Sequence, residues 1–269
     1  MAALHPNRAR APARRKEKSR RVGLARALSK LGYCSRSHAV ELIRAGRVTL
    51  NGRVQRDAEA AVSLVRDRIA VDGAAVTAAV KVYWMLNKPR GVVTTASDEK
   101  GRETVYAYLP ETAAWLAPVG RLDKASEGLL LLTNDSEWAA RIAAPETHLE
   151  KTYHVQIAAL PDAAVLEKIV RGVRVESGEV VRAKSASMLR TGEKNSWIAI
   201  ELDEGKNRQI RRIFDALGIE VLRLVRVGIG PLQLGDLAKG KHRVLAAEEI
   251  RTLDSAMRPA ERSNSRHAI

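Results

Sequence analysis

The stretch GRLDKASEGLLLLTND, residues 120–135, joins a charged loop to an apolar run. The run at 129–132 is short and bounded by polar, turn-forming residues, so it predicts a buried β-strand rather than a membrane span. Gly120 lets the backbone bend where the loop begins. Asp123 is therefore expected at the lip of a buried sheet, rigidly held yet accessible, where a catalytic acid is useful. Taken alone, an Arg-x-Asp loop is more often a surface ion pair or a turn.

The bulk charge of the chain indicates a polyanionic partner. The 269 residues carry a formal net charge of +15, and the pI is about 10.3, so binding to nucleic acid would be steeply salt-dependent. A basic surface that serves only solubility is the alternative. Aromatic residues make up 4%, which argues against a row of stacking platforms for unstructured single strands. Folded RNA or DNA, held by its phosphates, fits this composition better.

The same composition limits the other classes of protein. With 45% hydrophobic residues, the chain is long enough for one large domain and a small one. No apolar run approaches the roughly 20 residues of a spanning helix, and the Arg-rich N-terminus lacks the apolar core of a secretory signal. The single Cys34 excludes an internal disulfide, and the six histidines show no paired ligand spacing. We therefore expect a cytoplasmic protein that uses no metal.

The N-terminal part of the chain divides into an arm and a small module. Residues 1–21 are rich in Arg and Lys and are interrupted by prolines, which is typical of a disordered basic arm. This arm either holds RNA non-specifically or is a solvated tail without specificity. Residues 22–80 predict two short helices followed by tight strands, with a hairpin-type turn at Asn51-Gly52.

Within this module, the string LxxxLSKxGYCSRSxAxxLIRAGRVxLNG resembles the small alpha-L RNA-binding domain that is named after a small-subunit ribosomal protein. In that domain the paired helices and the following strand contact the RNA backbone. The resemblance implies four phosphate contacts: Lys30, Arg36, Arg44 and Arg47. The alternative is a helical hairpin whose arginines merely face water.

Residues 81–252 predict an α+β domain with a largely antiparallel sheet, and residues 253–269 predict a tail. Strands are expected at 82–86, 151–157, 196–202 and 221–227, and helices at 135–142, 160–172 and 205–218. Because strands and helices are mixed without regular alternation, a parallel doubly wound sheet is not indicated. The glycines at 228 and 230 form no dinucleotide-binding fingerprint, since a proline follows them and no helix begins there.

Six motifs in this order resemble the ribosomal RNA pseudouridine synthases that carry an N-terminal alpha-L domain: NKPRG, GRLD, GLLLLTND, KTYHV, GKNRQIRRI and LRLVRV. Each motif is weak alone, but their joint order and spacing are specific, and the resemblance covers residues from about 22 to 250. It implies a sheet with flanking helices and a central cleft. It also implies isomerisation of one uridine in rRNA without cofactor or metal.

The resemblance assigns roles to individual residues. Asp123 is expected to be the essential carboxylate, which either attacks the sugar or takes a proton from it. Arg211 is expected to pair with Asp123 and favour its ionised form, unless it binds phosphate like its neighbours. Tyr153 is expected to stack on the target base, although it also fits an ordinary core aromatic. Further substrate contacts are expected from Arg121, Leu224, Lys88, Lys206, Arg208 and Arg212, and core packing explains Leu224 equally well.

The implied partner is ribosomal RNA or an assembling ribosomal subunit, and the overall likeness points to the large subunit. We expect a monomer that does not bind membranes. Two other functions compete with this one. A ribosome-assembly or RNA-binding factor would use the fold only to bind RNA, without catalysis. A two-carboxylate hydrolase would pair Asp123 with Glu127 or Asp135.

Overall fold

The computed structural model describes residues 21–96, 98–110 and 115–257. They fall into two compact units, one formed by residues 21–28 and 36–76, the other by residues 29–35 and the described part of 77–257. All but the last residue of the predicted basic arm lie outside the described residues, as does the end of the predicted tail. The domain boundaries at 21, 80 and 252 stay predictions.

The first unit pairs two short helices with small antiparallel sheets. The helices are α1 (Leu24–Lys30), whose last two residues belong to the second unit, and α2 (Arg36–Arg44). The strands are β1 (Val22–Gly23), β2 (Val48–Leu50), β3 (Arg53–Val54), β4 (Ala61–Val62), β5 (Ile69–Val71) and β6 (Ala74–Ala75). The four-stranded sheet has the order β3-β2-β5-β6, and β1 pairs with β4. Positive φ angles at Asn51 and Gly52 suit the predicted tight turn between β2 and β3.

The described part of the second unit is built on a nine-stranded sheet with the order β13-β14-β10-β15-β9-β7-β17; β16 pairs with β15, and β8 with β9. The strands in or beside this sheet are β7 (Tyr83–Lys88), β8 (Ala117–Pro118), β9 (Glu127–Thr133), β10 (Lys151–Ile157), β13 (Ser185–Thr191), β14 (Ser196–Leu202), β15 (Val221–Ile229), β16 (Leu232–Gln233) and β17 (His242–Val244). A separate hairpin joins β11 (Val173–Arg174) to β12 (Val180–Val181). In the nine-stranded sheet, the strand pairings are antiparallel except for that of β15 with β9, which confirms the α+β prediction.

Strand β9 joins the two halves of this sheet and is buried along its whole length. Leu129 and Leu131 pack into one apolar cluster, while Leu130 and Leu132 pack into another on the opposite face. Burial of each leucine contributes about 1.5–3 kcal/mol. The predicted buried strand is therefore confirmed, although it begins two residues earlier than the apolar run.

Four helices cover this sheet: α3 (Ser136–Ala143), α4 (Ala163–Arg171), α5 (Gln209–Ala216) and α6 (Ala247–Ala256). Asp135 caps α3 as predicted, because its carboxylate accepts hydrogen bonds from the Glu137 and Trp138 amides. Helix α4 begins later than predicted, since Asp162 is its N-cap. Helix α6 was not predicted, and it runs past the expected start of the tail at 253. None of the helices in these described ranges is long and apolar enough to cross a membrane.

Candidate active site

The loop that carries Asp123 is fixed through its backbone carbonyls. Thr94 Oγ1 donates a hydrogen bond to the Leu122 carbonyl at 2.8 Å, and the Gly91 amide donates to the Lys124 carbonyl at 2.8 Å. The loop thus takes its shape from a segment about thirty residues earlier in the chain. These hydrogen bonds are accepted by backbone carbonyls of the loop, so they do not involve the Asp123 side chain.

Lys88 fixes the same loop from below. Its ammonium donates to the carbonyls of Asp123 (3.2 Å), Ser126 (2.9 Å) and Pro89 (3.0 Å). Burial lowers its pKa to about 8, while the negative charges of Asp123 and Glu127 oppose that shift. The side chain is 0% exposed, so the prediction that Lys88 contacts RNA is wrong for this conformation. The lysine supports the loop instead.

Arg211 on α5 reaches the loop, and its hydrogen bonds go to backbone carbonyls, so its pairing with Asp123 stays a prediction. Its Nη2 donates to the Ala125 carbonyl at 3.1 Å, and Nη1 donates to the Val221 carbonyl at 3.4 Å. Within the described residues, no guanidinium or ammonium nitrogen lies within 4.0 Å of the Asp123 carboxylate. Burial lowers the pKa of Arg211, with the charge of Asp123 acting in the opposite direction. The guanidinium is therefore near the carboxylate, but it is directed at backbone oxygens.

A cleft of about 670 Å³ opens beside this loop, within the second unit. Its lining includes six of the nine site residues predicted in the synthase domain: Arg121, Asp123, Tyr153, Lys206, Arg208 and Leu224. Arg211, Arg212 and Lys88 are not part of the lining. The sheet and the start of α5 thus bring together residues from four of the motifs at one concave surface.

Tyr153 and Leu224 form the apolar part of the cleft. They lie on the neighbouring strands β10 and β15, whose register places Tyr153 opposite Arg226 and Leu224 opposite Val155. Tyr153 packs against apolar clusters from both halves of the sheet while its ring stays partly exposed. Tyr153 thus packs on the core and also lines the cleft, and its stacking on a base stays a prediction.

The basic residues at the start of α5 differ in their partners. Lys206 pairs with Glu179 at 3.2 Å and with Glu204 at 3.0 Å, and Arg212 pairs with Glu179 at 2.7 Å. Arg208 is exposed, adopts a left-handed φ of 47° just before the helix, and forms no ion pair with the described residues. Phosphate contacts by Lys206 and Arg212 would therefore compete with carboxylates.

The predicted RNA contacts of the alpha-L module are also mixed. Arg36 and Arg44, the first and last residues of α2, are both exposed. Arg47 donates to both carboxylate oxygens of Asp72, at 2.5–3.2 Å. The Lys30 ammonium is paired with Glu137, and both of these residues belong to the second unit.

The two acids considered as partners of Asp123 in a hydrolase are engaged elsewhere. Glu127 is 2% exposed and is held by Arg223 at 3.0 Å and Lys239 at 2.6 Å. Asp135 caps α3 and pairs with Lys81. Neither lines the cleft. This geometry disfavours a mechanism in which either one acts with Asp123 on a substrate.

Three residues of this region were missed by the sequence analysis. Thr94 lies in an unremarkable VVTT segment, and only the fold shows that its hydroxyl reaches Leu122. Lys151 and Arg226 line the cleft. Both belong to motifs already quoted, KTYHV and LRLVRV, so the signal was present but unassigned.

Comparisons with known proteins agree with this geometry. The family described as RNA pseudouridylate synthase matches residues 82–216, and the S4 domain family matches residues 22–69. The ribosomal large subunit pseudouridine synthase B of Bacillus subtilis is 38% identical over 231 residues, covering 86% of this chain and 94% of the relative. Its namesake in Escherichia coli O157:H7 is 35% identical, covering 78% of this chain and 74% of the relative.

A solved structure supports the same assignment. A crystal structure of a pseudouridylate synthase matches with a TM-score of 0.61 at 30% identity, covering 86% of this chain and 99% of the other. The alpha-L module expected from the sequence corresponds to the S4 match. The chain therefore belongs to the RNA pseudouridylate synthase family, with an S4 domain preceding the synthase domain.

Proposed function

We propose that this protein isomerises a uridine of large-subunit ribosomal RNA to pseudouridine, with Asp123 as the essential carboxylate. Two relatives reported above are named ribosomal large subunit pseudouridine synthase B, which supports rRNA of the large subunit as the substrate. The S4 domain match supports an RNA partner. We expect the protein to act as a cytoplasmic monomer on free rRNA or on an assembling subunit.

One observation supports the role of Asp123 as the essential carboxylate. Its carboxylate lines the cleft beside Tyr153 and forms no ion pair with the described residues, while the backbone around it is tightly bound. A half-buried carboxylate that has no ion-pair partner among the described residues, on a loop held by hydrogen bonds, is suited to act on a substrate.

The reaction exchanges one glycosidic bond for another. The bond from uracil N1 to the sugar C1′ breaks, a bond from C5 to C1′ forms, the C5 proton leaves and N1 gains a proton, so the product is an isomer. Asp123 acts on the sugar, either by attacking it or by accepting a proton from it. Tyr153 and Leu224 hold the uracil while it turns, and Arg211 positions the loop through Ala125.

The target uridine must leave its stack to reach the cleft, which costs a few kcal/mol. Arg121 and Arg208 are exposed on the lining of the cleft, and neither has a carboxylate partner among the described residues. Phosphate contacts at these arginines and at the S4 domain offset the unstacking free energy.

The test is Asp123→Asn, introduced into cells that lack the wild-type gene, with carbodiimide mapping of rRNA. We expect one pseudouridine of large-subunit rRNA to disappear in the deletion strain and to return with the wild-type protein. It should not return with Asp123→Asn, because the amide neither attacks nor accepts a proton at the sugar. Asp162→Asn is the matched control, since it caps α4 away from the cleft and Asn also caps well.

The competing function makes the opposite prediction. If every pseudouridine persists in the deletion strain while ribosomal subunits assemble poorly, the protein is an RNA-binding or assembly factor. If the modification returns with Asp123→Asn, the carboxylate is not essential and the proposed mechanism is wrong.

A further inference from the structure

Arg226 is a buried cation with an unused hydrogen-bond donor. It is 6% exposed and lies on β15, opposite Tyr153 of β10. Its Nε donates to the Leu129 carbonyl at 2.8 Å, but its Nη2 is buried and has no hydrogen-bond partner in the described part of the chain. The residue lines the cleft. Leaving a buried charged donor unsatisfied is costly, so each such group calls for an explanation, and a ligand that accepts the hydrogen bond is one.

Lys151 provides a second cation on the same lining. It is half-buried and is the first residue of β10, two residues before Tyr153 on the same side of the strand. Within the described ranges, its ammonium forms no ion pair within 4.0 Å and no hydrogen bond. Burial lowers its pKa, and the positive charge of Arg226 lowers it further, while Asp203 opposes the shift. Lys151 and Arg226 are thus close enough to repel each other.

Two neighbouring cations without carboxylate partners are held at a free-energy cost that a bound anion relieves. We infer that Lys151 and Arg226 form an anion subsite of the cleft that takes a backbone phosphate of the RNA substrate. The inference rests on the proposed function, because the anionic groups of an RNA substrate are its backbone phosphates. Asp203 also lines the cleft, and its negative charge partly offsets the positive charge of Lys151.

The position of the subsite fits a nucleotide already held at Tyr153. Two residues along a strand span about 6.6 Å, which lies within the dimensions of one nucleotide. A base on Tyr153 therefore leaves a phosphate of the same or the adjoining nucleotide near Lys151. The subsite fixes where the nucleotide sits, while Asp123 acts on the sugar.

The main test compares Lys151→Gln with Lys168→Gln, which removes the same charge from the exposed face of α4. Equilibrium binding of the full chain to transcribed large-subunit rRNA is measured over a series of KCl concentrations. We expect Lys151→Gln to weaken binding several-fold and to reduce the salt slope by about 1. Lys168→Gln should leave both unchanged, and Lys151→Arg should restore binding. Equal effects of the two Gln variants would overturn the inference.

A second measurement separates the subsite from the proposed function. Binding of uridine and of uridine 5′- and 3′-monophosphate to the wild-type protein is followed by saturation-transfer NMR. We expect one of the monophosphates to bind more tightly than uridine, and the preference to vanish in Lys151→Gln while uridine binding is kept. Equal binding of nucleoside and nucleotides by the wild type refutes the subsite, whether or not the protein makes pseudouridine.

Arg226→Gln is the supporting variant, and thermal unfolding shows whether it folds, because its Nε bond holds β9. If it folds, it should lose the same preference for the monophosphate. A folded Arg226→Gln protein that keeps the preference would remove Arg226 from the subsite and contradict the inference as stated. Single-turnover rates give a half-saturating concentration and a maximal rate. We expect the defect of Lys151→Gln to lie in the half-saturating concentration rather than in the maximal rate.

Discussion

Gly128→Ala tests whether the two halves of the synthase sheet depend on one close backbone approach. Gly128 pairs with Arg226 where β9 meets β15, the parallel contact within the described sheet. Its φ is +100°, and a Cβ built at this position would lie 2.2 Å from the Arg226 carbonyl oxygen and 2.9 Å from its amide nitrogen. Both neighbours are backbone atoms, so no side chain can rotate away to make room.

The expected loss of stability has two parts. An L-residue at positive φ costs about 1–2 kcal/mol, and forcing a methyl group into packed structure costs about 1–3 kcal/mol. The sum is about 2–5 kcal/mol. For a domain of this size, 1 kcal/mol shifts Tm by about 2–4 °C, so the melting temperature should fall by roughly 4–20 °C.

Gly178→Ala separates these two parts. Gly178 has a φ of +82° in the turn of the β11–β12 hairpin, and a Cβ there meets nothing within 4 Å. This control should lose only the conformational part, about 1–2 kcal/mol. Thermal unfolding followed by circular dichroism gives both values. If the two variants melt at the same temperature, the close approach of β9 and β15 contributes nothing, and the reasoning about Gly128 is refuted.

Two further predictions concern the surroundings of the Asp123 loop. Burial raises the pKa of Glu127, but hydrogen bonds from Arg223 and Lys239 lower it more, so the net shift is downward. The resulting stability is present above the unfolded pKa of about 4.3 and is lost as the pH falls through the folded value. The free energy of unfolding of Glu127→Gln should therefore be about 1–3 kcal/mol lower than that of the wild type at neutral pH. Urea titrations should show this difference shrinking below about pH 4, and a difference that does not change with pH would mean that the ion pairs do not stabilise the fold. Thr94→Val removes the 2.8 Å bond to the Leu122 carbonyl and should cost about 1–3 kcal/mol in denaturant unfolding. In single-turnover assays, Thr94→Val should have a lower maximal rate. A variant that changes only the half-saturating concentration would contradict the role of Thr94 in positioning the loop.

The sequence predicted those elements whose pattern is local. Strands β10 and β14 were predicted with their observed bounds, because apolar residues recur at every second position through most of each strand. Strand β13 was missed, since as an edge strand it is exposed over most of its length and shows no alternation. Helix α6 was missed because Leu253 is its one fully buried residue within the described structure, which leaves little periodicity to detect.

The errors at the site come from contacts between distant segments. Lys88 stands in a polar, turn-forming motif, so a surface position was the natural expectation. In the fold, Lys88 is the last residue of β7 and pairs with Gly128 of β9, which places its ammonium beneath the Asp123 loop. The hydrogen-bond partners of Arg211 could not be predicted for a related reason. The motif indicates that the guanidinium is near the loop, but only the packing of α5 decides which oxygen it reaches.

Three charged groups that line the cleft lack a partner of opposite charge in the described part of the chain. Outside the cleft, the buried Glu127 and Asp135 each have cationic partners. Within it, the Asp123 carboxylate, the Lys151 ammonium and one nitrogen of Arg226 have none among the described residues. A sequence selected for stability alone would pair or remove such groups, so their persistence together at one concave surface implies a ligand that completes them. A nucleotide offers a sugar to the carboxylate and a phosphate to the cations, and this complementarity connects the proposed reaction to the proposed subsite.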